Sequence, residues 1–241
     1  FKNSTGTDEE EAESSSSAVA TVLAYVLSFM LYMFLIIYGA MVMQSVIEEN
    51  MKRLFDVVCS FFGLLVLSPL FVFLSLWVGL GSKGGVFYKQ KRVGRFNKDF
   101  TLYKFRSMRV GADKKGLLTI GGKDSRVTKA GFFIRKYKLD ELPQLLNVLK
   151  GDMSFVGPRP EVRKYVDMYT ERQLKVLDVR PGITDLASIK YRNENDLLAA
   201  ADNPEQYYID VVMQDKLALN LQYIETRSFF GDIKLIFRTI F

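Results

Sequence analysis

Histidine is absent from this 241-residue chain, and cysteine occurs once, at Cys59. The first absence removes imidazole general bases, Ser-His-Asp triads and His-containing zinc sites. The second removes an intrachain disulfide framework and fits a reducing compartment. Cys59 lies inside an apolar run, where a lone thiol acts as a small hydrophobe. The chain also lacks a GxGxxG motif, an alternating βαβ pattern and any internal repeat, so a dinucleotide-binding fold is not expected. Chemistry must come from carboxylates, Lys, Arg, Tyr, Ser or Thr, or from a hard metal ion.

Charge is present but unevenly spread. The formal net charge is +6, yet residues 1–50 hold one Lys and seven acidic residues, a balance of −6, which leaves +12 on residues 51–241. A basic domain in a chain that is 49% hydrophobic points to an anionic membrane surface or a phosphate-bearing substrate. A nucleic-acid binder is the reading of charge alone, and it lacks a recognisable fold here.

Residues 1–17 are acidic, Ser-rich and low in complexity, the composition of a disordered leader. Residues 18–46 carry no charge. At ~1.5 Å per residue they exceed the ~30 Å hydrocarbon core of a bilayer, which predicts a tilted transmembrane helix. Acidic residues before it and Lys52–Arg53 after it orient its C-terminal end toward the cytoplasm.

A second apolar segment, residues 51–82, is interrupted by the pair Ser68–Pro69. Pro69 removes a backbone donor and predicts a sharp kink, and Ser68 can satisfy the carbonyl that Pro69 frees. Basic residues flank both ends, Lys52 and Arg53 before, Lys83, Lys89, Lys91, Arg92 and Arg95 after. Positive charge at both ends favours a re-entrant helix that enters and leaves by one face; a Pro-kinked spanning helix is the alternative.

Residues 83–241 read as a cytoplasmic domain with two short strands, Val86–Gln90 and Phe100–Phe105, around the turn GRFNKD. Helical patterns follow over residues 131–138, over LPQLLNVLK and over residues 161–178. In KLDELPQLLNVLKGD, Leu142, Leu145, Leu146 and Leu149 recur at one-face helical spacing, and Gly151 predicts the C-terminal cap. Pro143 belongs in a first turn, which predicts a helix starting near Asp140 with both Asp140 and Glu141 at its positive end. Asp140 is there a candidate cap or a candidate catalyst. Arg92, Arg106, Arg135, Arg159 and Arg180 stand in aromatic or Pro/Gly settings, and Arg is the natural bidentate ligand for phosphate.

KRLFD (52–56), Ser68–Pro69, QKRVG (90–94), YKFRSM (103–108), LDELPQLLNVLKGDMSFVGPRP (139–160) and DVRPGIT (178–184) together resemble the bacterial sugar transferase family, the monotopic polyprenyl-phosphate phosphoglycosyl transferases, over essentially all of residues 51–241. The resemblance implies an α+β, mostly helical, membrane-associated architecture: a re-entrant kinked membrane helix and then a small catalytic domain with short strands, on the cytoplasmic face of the bacterial inner membrane. It implies transfer of a phospho-sugar from a UDP-sugar to a polyprenyl (undecaprenyl) phosphate, releasing UMP, with Mg²⁺ as cofactor. Asp140 matches the nucleophile and Glu141 the Mg²⁺-holding carboxylate, so the dyad is expected to be catalytic. The resemblance places Arg135 and Arg159 near phosphate, and Arg92, Lys104, Arg106 and Arg180 are further candidates for substrate or phosphate binding. Partners are the UDP-sugar, the polyprenyl phosphate and membrane lipids, not nucleic acid.

Many family members continue DVRPGIT with Gly-Leu-Ala-Gln, whereas this chain has Asp185 and Ser188 in place of the Gly and the Gln. The change concerns sugar preference, and Tyr191, Arg192 and Glu194 either line that pocket or form a surface hydrogen-bond cluster. Separately, YGAMVMQSVIEEN (38–50) resembles part of an ABC transporter permease subunit. Residues 1–50 are therefore expected to be a foreign or fused leader ahead of a functional protein starting at Met51. A non-catalytic, transporter-associated membrane scaffold is the alternative function.

Overall fold

The structure, a computed structural model, describes residues 5–81, 84–116, 118–121 and 124–240. The chain divides into two units, Phe1–Asn50 and Met51–Phe241. Helix α1 (Thr5–Val66) begins in the first and ends in the second. It starts inside the acidic leader, whose composition points to disorder; the Glu-rich run from Glu9 to Glu13 also suits a helix N-terminus, and residues 1–4 lie outside the described residues. The segment expected as a separate helix over 18–46 is part of α1, because residues 44–53 hold no Pro or Gly that would break it. Among the described residues, Leu27–Val66 is the stretch long and apolar enough to cross a membrane.

In the second unit, α1 gives way to α2 (Ser68–Gly81) at Leu67. The hydrogen-bond ladder explains the break. Leu67 N–H still reaches Gly63 C=O and Phe71 N–H reaches Leu67 C=O, both at 2.9 Å. Pro69 has no N–H to offer Leu65 C=O, and the Ser68 hydroxyl donates to that carbonyl instead, at 2.8 Å. Both arms pack on the same body. On the α1 side, Lys52 Nζ donates to Val156 C=O (2.8 Å), Tyr223 Oη (2.8 Å) and Asp232 Oδ2 (2.5 Å). Arg53 covers the last carbonyls of the helix at 144–150, Val148 C=O at 2.6 Å and Leu149 C=O at 2.9 Å. Asp56, buried, accepts from Ser154 Oγ (3.1 Å) and Phe155 N–H (3.0 Å). On the α2 side, Leu74 and Val78 share a core with Phe105 and Ile134. Between the arms, Phe61, Phe62, Leu65, Val66, Val72 and Phe73 are exposed.

Strands β1 (Phe87–Val93) and β2 (Asp99–Phe105) form an antiparallel hairpin, each longer than its sequence pattern, with Phe87 opposite Phe105 and Arg92 opposite Phe100. Phe96 and Asn97 turn the chain at positive φ. Helix α3 (Lys129–Lys136) is capped by Thr128, which accepts from Gly131 N–H. Gly131 is required: a Cβ there would lie 1.9 Å from Ser107 O. A 3-10 turn (Leu139–Glu141) and helix α4 (Gln144–Lys150) follow, ended by Gly151 at φ 93° as the spacing predicts. Strands β3 (Ser154–Val156) and β4 (Gly182–Thr184) pair in parallel.

The helix expected over 161–178 is instead three short pieces: α5 (Arg163–Val166), α6 (Glu171–Leu174) and a 3-10 turn (Lys175–Asp178). Thr170 and Gln173 form a capping box that starts α6 afresh and so interrupts the periodic pattern. Then come α7 (Leu186–Lys190), α8 (Glu194–Ala199), α9 (Pro204–Tyr207), a π turn (Tyr208–Val212), α10 (Met213–Thr226) and α11 (Phe229–Ile240). Val162, Tyr165, Leu198, Tyr208, Met213 and Leu217 centre the core that joins these helices.

Candidate active site

The dyad is not at a helix N-terminus. Lys138, at φ 56°, reverses the chain after α3 and leads into the 3-10 turn that holds Asp140 and Glu141. Helix α4 starts only at Gln144, behind Pro143, and neither turn nor helix is capped by a side chain. The bland capping role for Asp140 is thereby removed. A spare polar residue fixes the turn against its neighbours: Asn147, fully buried on α4, donates to Thr101 C=O (2.7 Å) and accepts from Tyr103 N–H (3.0 Å). That stitch sets α4 against β2, and so sets Lys104 opposite Glu141.

Glu141 Oε1 receives both Lys104 Nζ, at 3.5 Å, and the Arg159 guanidinium in a short contact. Burial alone would raise the Glu141 carboxyl, but Arg159 and Lys104 outweigh it and hold it well below the usual carboxylate range. Asp140 differs. It is buried, and that burial pushes its carboxyl up against the pull of Lys104, with the Glu141 charge adding to the rise. Arg135 and Lys138 are the other cations that act on it. Burial lowers the Lys104 ammonium, with Glu141 opposing. Two adjacent carboxylates are thus pushed apart, Glu141 below its ordinary value and Asp140 above it.

Both face a cleft of about 1000 Å³. Arg92, Lys104, Arg106, Arg135 and Arg159 all line it; Arg180 does not, and its Nε donates to Gly151 C=O at 3.2 Å. The five are not equivalent. Arg92 is committed to Glu161 (3.0 Å), Pro160 C=O (3.0 Å) and Gln90 Oε1, so it secures the loop that carries Arg159. Arg106 donates to Gly85 C=O (3.1 Å) and Phe87 C=O (3.3 Å) beside the Tyr88 ring, at the α2 end of the cleft. Arg135 reaches Thr119 Oγ1 at 3.0 Å. Arg159 also donates to Ile183 C=O at 3.0 Å. Its loop sits where Gly157 and Gly182 nearly touch: a Cβ on Gly182 would lie 2.1 Å from Gly157 N.

Ser188, Tyr191, Arg192 and Glu194 also line the cleft. The last three line the cleft and are also internally bonded, Tyr191 Oη to Asp215 at 2.8 Å, Glu194 to Lys216, and Arg192 to Thr239 C=O at 3.3 Å. Ser188 Oγ is buried without a hydrogen-bond partner. Sequence reasoning missed Glu161, which links Arg92 to Tyr208 Oη, and Arg126, which donates to Ala112, Gly116 and Leu118 carbonyls and pairs with Asp124 at the cleft. It also missed Asn147, whose signal was an amide inside the apolar run LLNVL.

Among the described residues no three acidic, Cys or His side chains cluster as a metal cage. The donor set nonetheless suits Mg²⁺, which usually takes one or two protein carboxylates and completes its shell with phosphate oxygens and water. Glu141 is ionised at the cleft wall, with both cationic contacts on its Oε1.

The site is thus the buried Asp140 and the half-buried Glu141 on a cleft lined by Arg92, Lys104, Arg106, Arg135 and Arg159. Residues 47–241 match the bacterial sugar transferase family, and the chain belongs to it. It is 42% identical over 190 residues to an uncharacterized sugar transferase, EpsL, of Bacillus subtilis (strain 168), covering 79% of this chain and 85% of that protein. It is 36% identical over 202 residues to the UDP-N-acetylgalactosamine-undecaprenyl-phosphate N-acetylgalactosaminephosphotransferase of Aeromonas hydrophila, 82% of this chain and 44% of that one. The UDP-glucose:undecaprenyl-phosphate glucose-1-phosphate transferase of Escherichia coli (strain K12) is 37% identical over 201 residues, 82% of this chain and 41% of its own length. The chain thus spans most of the first relative and less than half of the other two.

Proposed function

We propose that this protein transfers a phospho-sugar from a UDP-sugar to a polyprenyl phosphate such as undecaprenyl phosphate, the first membrane step of bacterial glycan assembly. The observation that carries the reading is the dyad: one buried carboxylate raised, its neighbour held ionised by Arg159 and Lys104, on a basic cleft. The names of the Aeromonas and Escherichia relatives support the same reaction class. They name different sugars, so the donor is a matter for experiment.

In the reaction we envisage, an Asp140 oxygen attacks the sugar-bearing phosphorus of the donor, the bond from that phosphorus to the UMP oxygen breaks, and UMP leaves. An oxygen of the polyprenyl phosphate then attacks the same phosphorus and releases the Asp140 carboxylate. A carboxylate needs no general base for this, consistent with a chain that has no His. Arg159, Arg135 and Lys104 lower the repulsion between Asp140 and an anionic diphosphate. Mg²⁺ held by Glu141, phosphate oxygens and water would supply further neutralising charge there.

The hairpin α1–α2 is in this reading re-entrant in the cytoplasmic leaflet of the inner membrane. Supporting it are the exposed apolar residues around Ser68–Pro69 and two amphipathic helices with aromatic and basic exposed faces. These present Phe132 and Phe133 with Lys136 on α3, followed by Tyr137 just past its end, and Phe230 and Phe237 with Lys234 and Arg238 on α11. The scaffold alternative rests on residues 1–50 alone, while the family match covers residues 47–241. The test is UMP release from a panel of UDP-sugars with undecaprenyl phosphate and Mg²⁺. Release from one donor, dependent on protein, supports the reading and names the sugar; no release from any donor by folded protein would overturn it.

A further inference from the structure

Pro158 and Pro160 have no N–H, so within Pro158–Arg159–Pro160 the Arg159 N–H is the one backbone donor. Asp185 takes it. This side chain is fully buried between β4 and α7; its Oδ2 accepts from Arg159 N–H at 3.1 Å and its Oδ1 accepts from Ser188 N–H at 2.6 Å. One carboxylate thus joins the loop that carries Arg159 to α7, whose Ser188 also lines the cleft. The same strand end supplies Ile183 C=O to the Arg159 guanidinium. The rest of the loop is fixed from other sides: Pro158 C=O accepts from Gly182 N–H at 3.0 Å and Pro160 C=O from Arg92. Among the described residues, Asp185 is the one whose side-chain charge is placed on the Arg159 backbone itself.

We infer that Asp185 is a positioning residue for the transfer reaction, acting through Arg159. The inference rests on the function proposed above. A residue without an acceptor at position 185 would have nothing to offer Arg159 N–H or Ser188 N–H. In this chain the carboxylate holds the Arg159 main chain, and with it the guanidinium that faces Glu141 and the donor phosphates. Freed from it, the loop keeps its outer bonds, but Arg159 N–H loses its partner and the guanidinium can drift. A shift of the order of 1 Å in a positioned catalytic group costs up to about 100-fold in rate.

The experiment is a double-mutant cycle in the full-length protein in lipid, reading kcat and KM for UMP release, with thermal unfolding of each variant. Asp185→Ala is expected to lower kcat about tenfold or more with KM changed less than about threefold. Asp185→Asn keeps one acceptor oxygen and is expected to fall between it and wild type, and it serves if the Ala variant folds poorly. The decisive corner is Arg159→Lys: adding Asp185→Ala to it is expected to cost less than about twofold more, because the group Asp185 positions is already gone. Full multiplication of the two effects, or a drop in folded fraction with kcat per folded molecule unchanged, would overturn the inference and leave the transferase reading standing. No UMP from wild type with any donor would overturn both.

Discussion

Asp140 and Glu141 are covalent neighbours with opposite electrostatic fates, and the difference is testable as stability. Asp140 titrates above its ordinary value in the folded protein, so between the unfolded and folded values the native state binds more protons. Stability contributed there is present below the unfolded pKa and lost as pH rises through the folded one. Asp140→Asn is therefore expected to raise the melting temperature at pH 7 while abolishing UMP release; a lowered melting temperature would contradict the burial that raises Asp140. The proposed attack needs the ionised Asp140 carboxylate, so the acid limb of kcat/KM is expected above the ordinary Asp value of about 3.9. For Glu141 the sign reverses. Its contribution is present above the unfolded pKa and lost as pH falls, so Glu141→Gln is expected to lower the melting temperature at pH 7 by leaving Lys104 and Arg159 to repel each other.

Among the elements, α4 and the two parallel strands hold the site in register. Replacing Asn147 with Leu leaves Tyr103 N–H and Thr101 C=O without this partner and is expected to cost roughly 2–6 kcal/mol, at about 1–3 kcal/mol per unpaired group, measurable by denaturant unfolding. Much of this layer was legible beforehand. Leucine spacing gave α4, Gly151 its end, and Ser68–Pro69 the break between α1 and α2, because each signal is local. The start of α4 was misplaced because Pro143 fits behind a 3-10 turn as well as in a first helical turn. The Asn147 stitch and the Gly157–Gly182 approach were not legible, since both join segments far apart in sequence.

For the whole molecule, most of the residues that line the cleft were legible through motif and the assembly was not. The dyad and Arg159 stand in one continuous motif, and the structure joins them; Lys104 comes to Glu141 from a separate strand, and Arg180 was grouped with them by setting alone and lies off the cleft. Lys52, Arg53 and Asp56 carried a different meaning once folded. In sequence the first two are topogenic charges and Asp56 closes the KRLFD motif, but in the fold each bonds to residues of β3, α4, α10 or α11. Lys52→Ala and Asp56→Ala are accordingly expected to lower the melting temperature and activity together without changing donor preference, as a donor panel would read.

The central claim is that Asp140 bonds covalently to the transferred group. It is tested most directly by incubating the protein with its UDP-sugar and Mg²⁺ without polyprenyl phosphate and sequencing the peptides by mass spectrometry. The expected result is a phospho-sugar adduct on Asp140, with up to one UMP released per protein, both lost in Asp140→Asn. UMP formed only when polyprenyl phosphate is present, with Asp140 unmodified throughout, would contradict it.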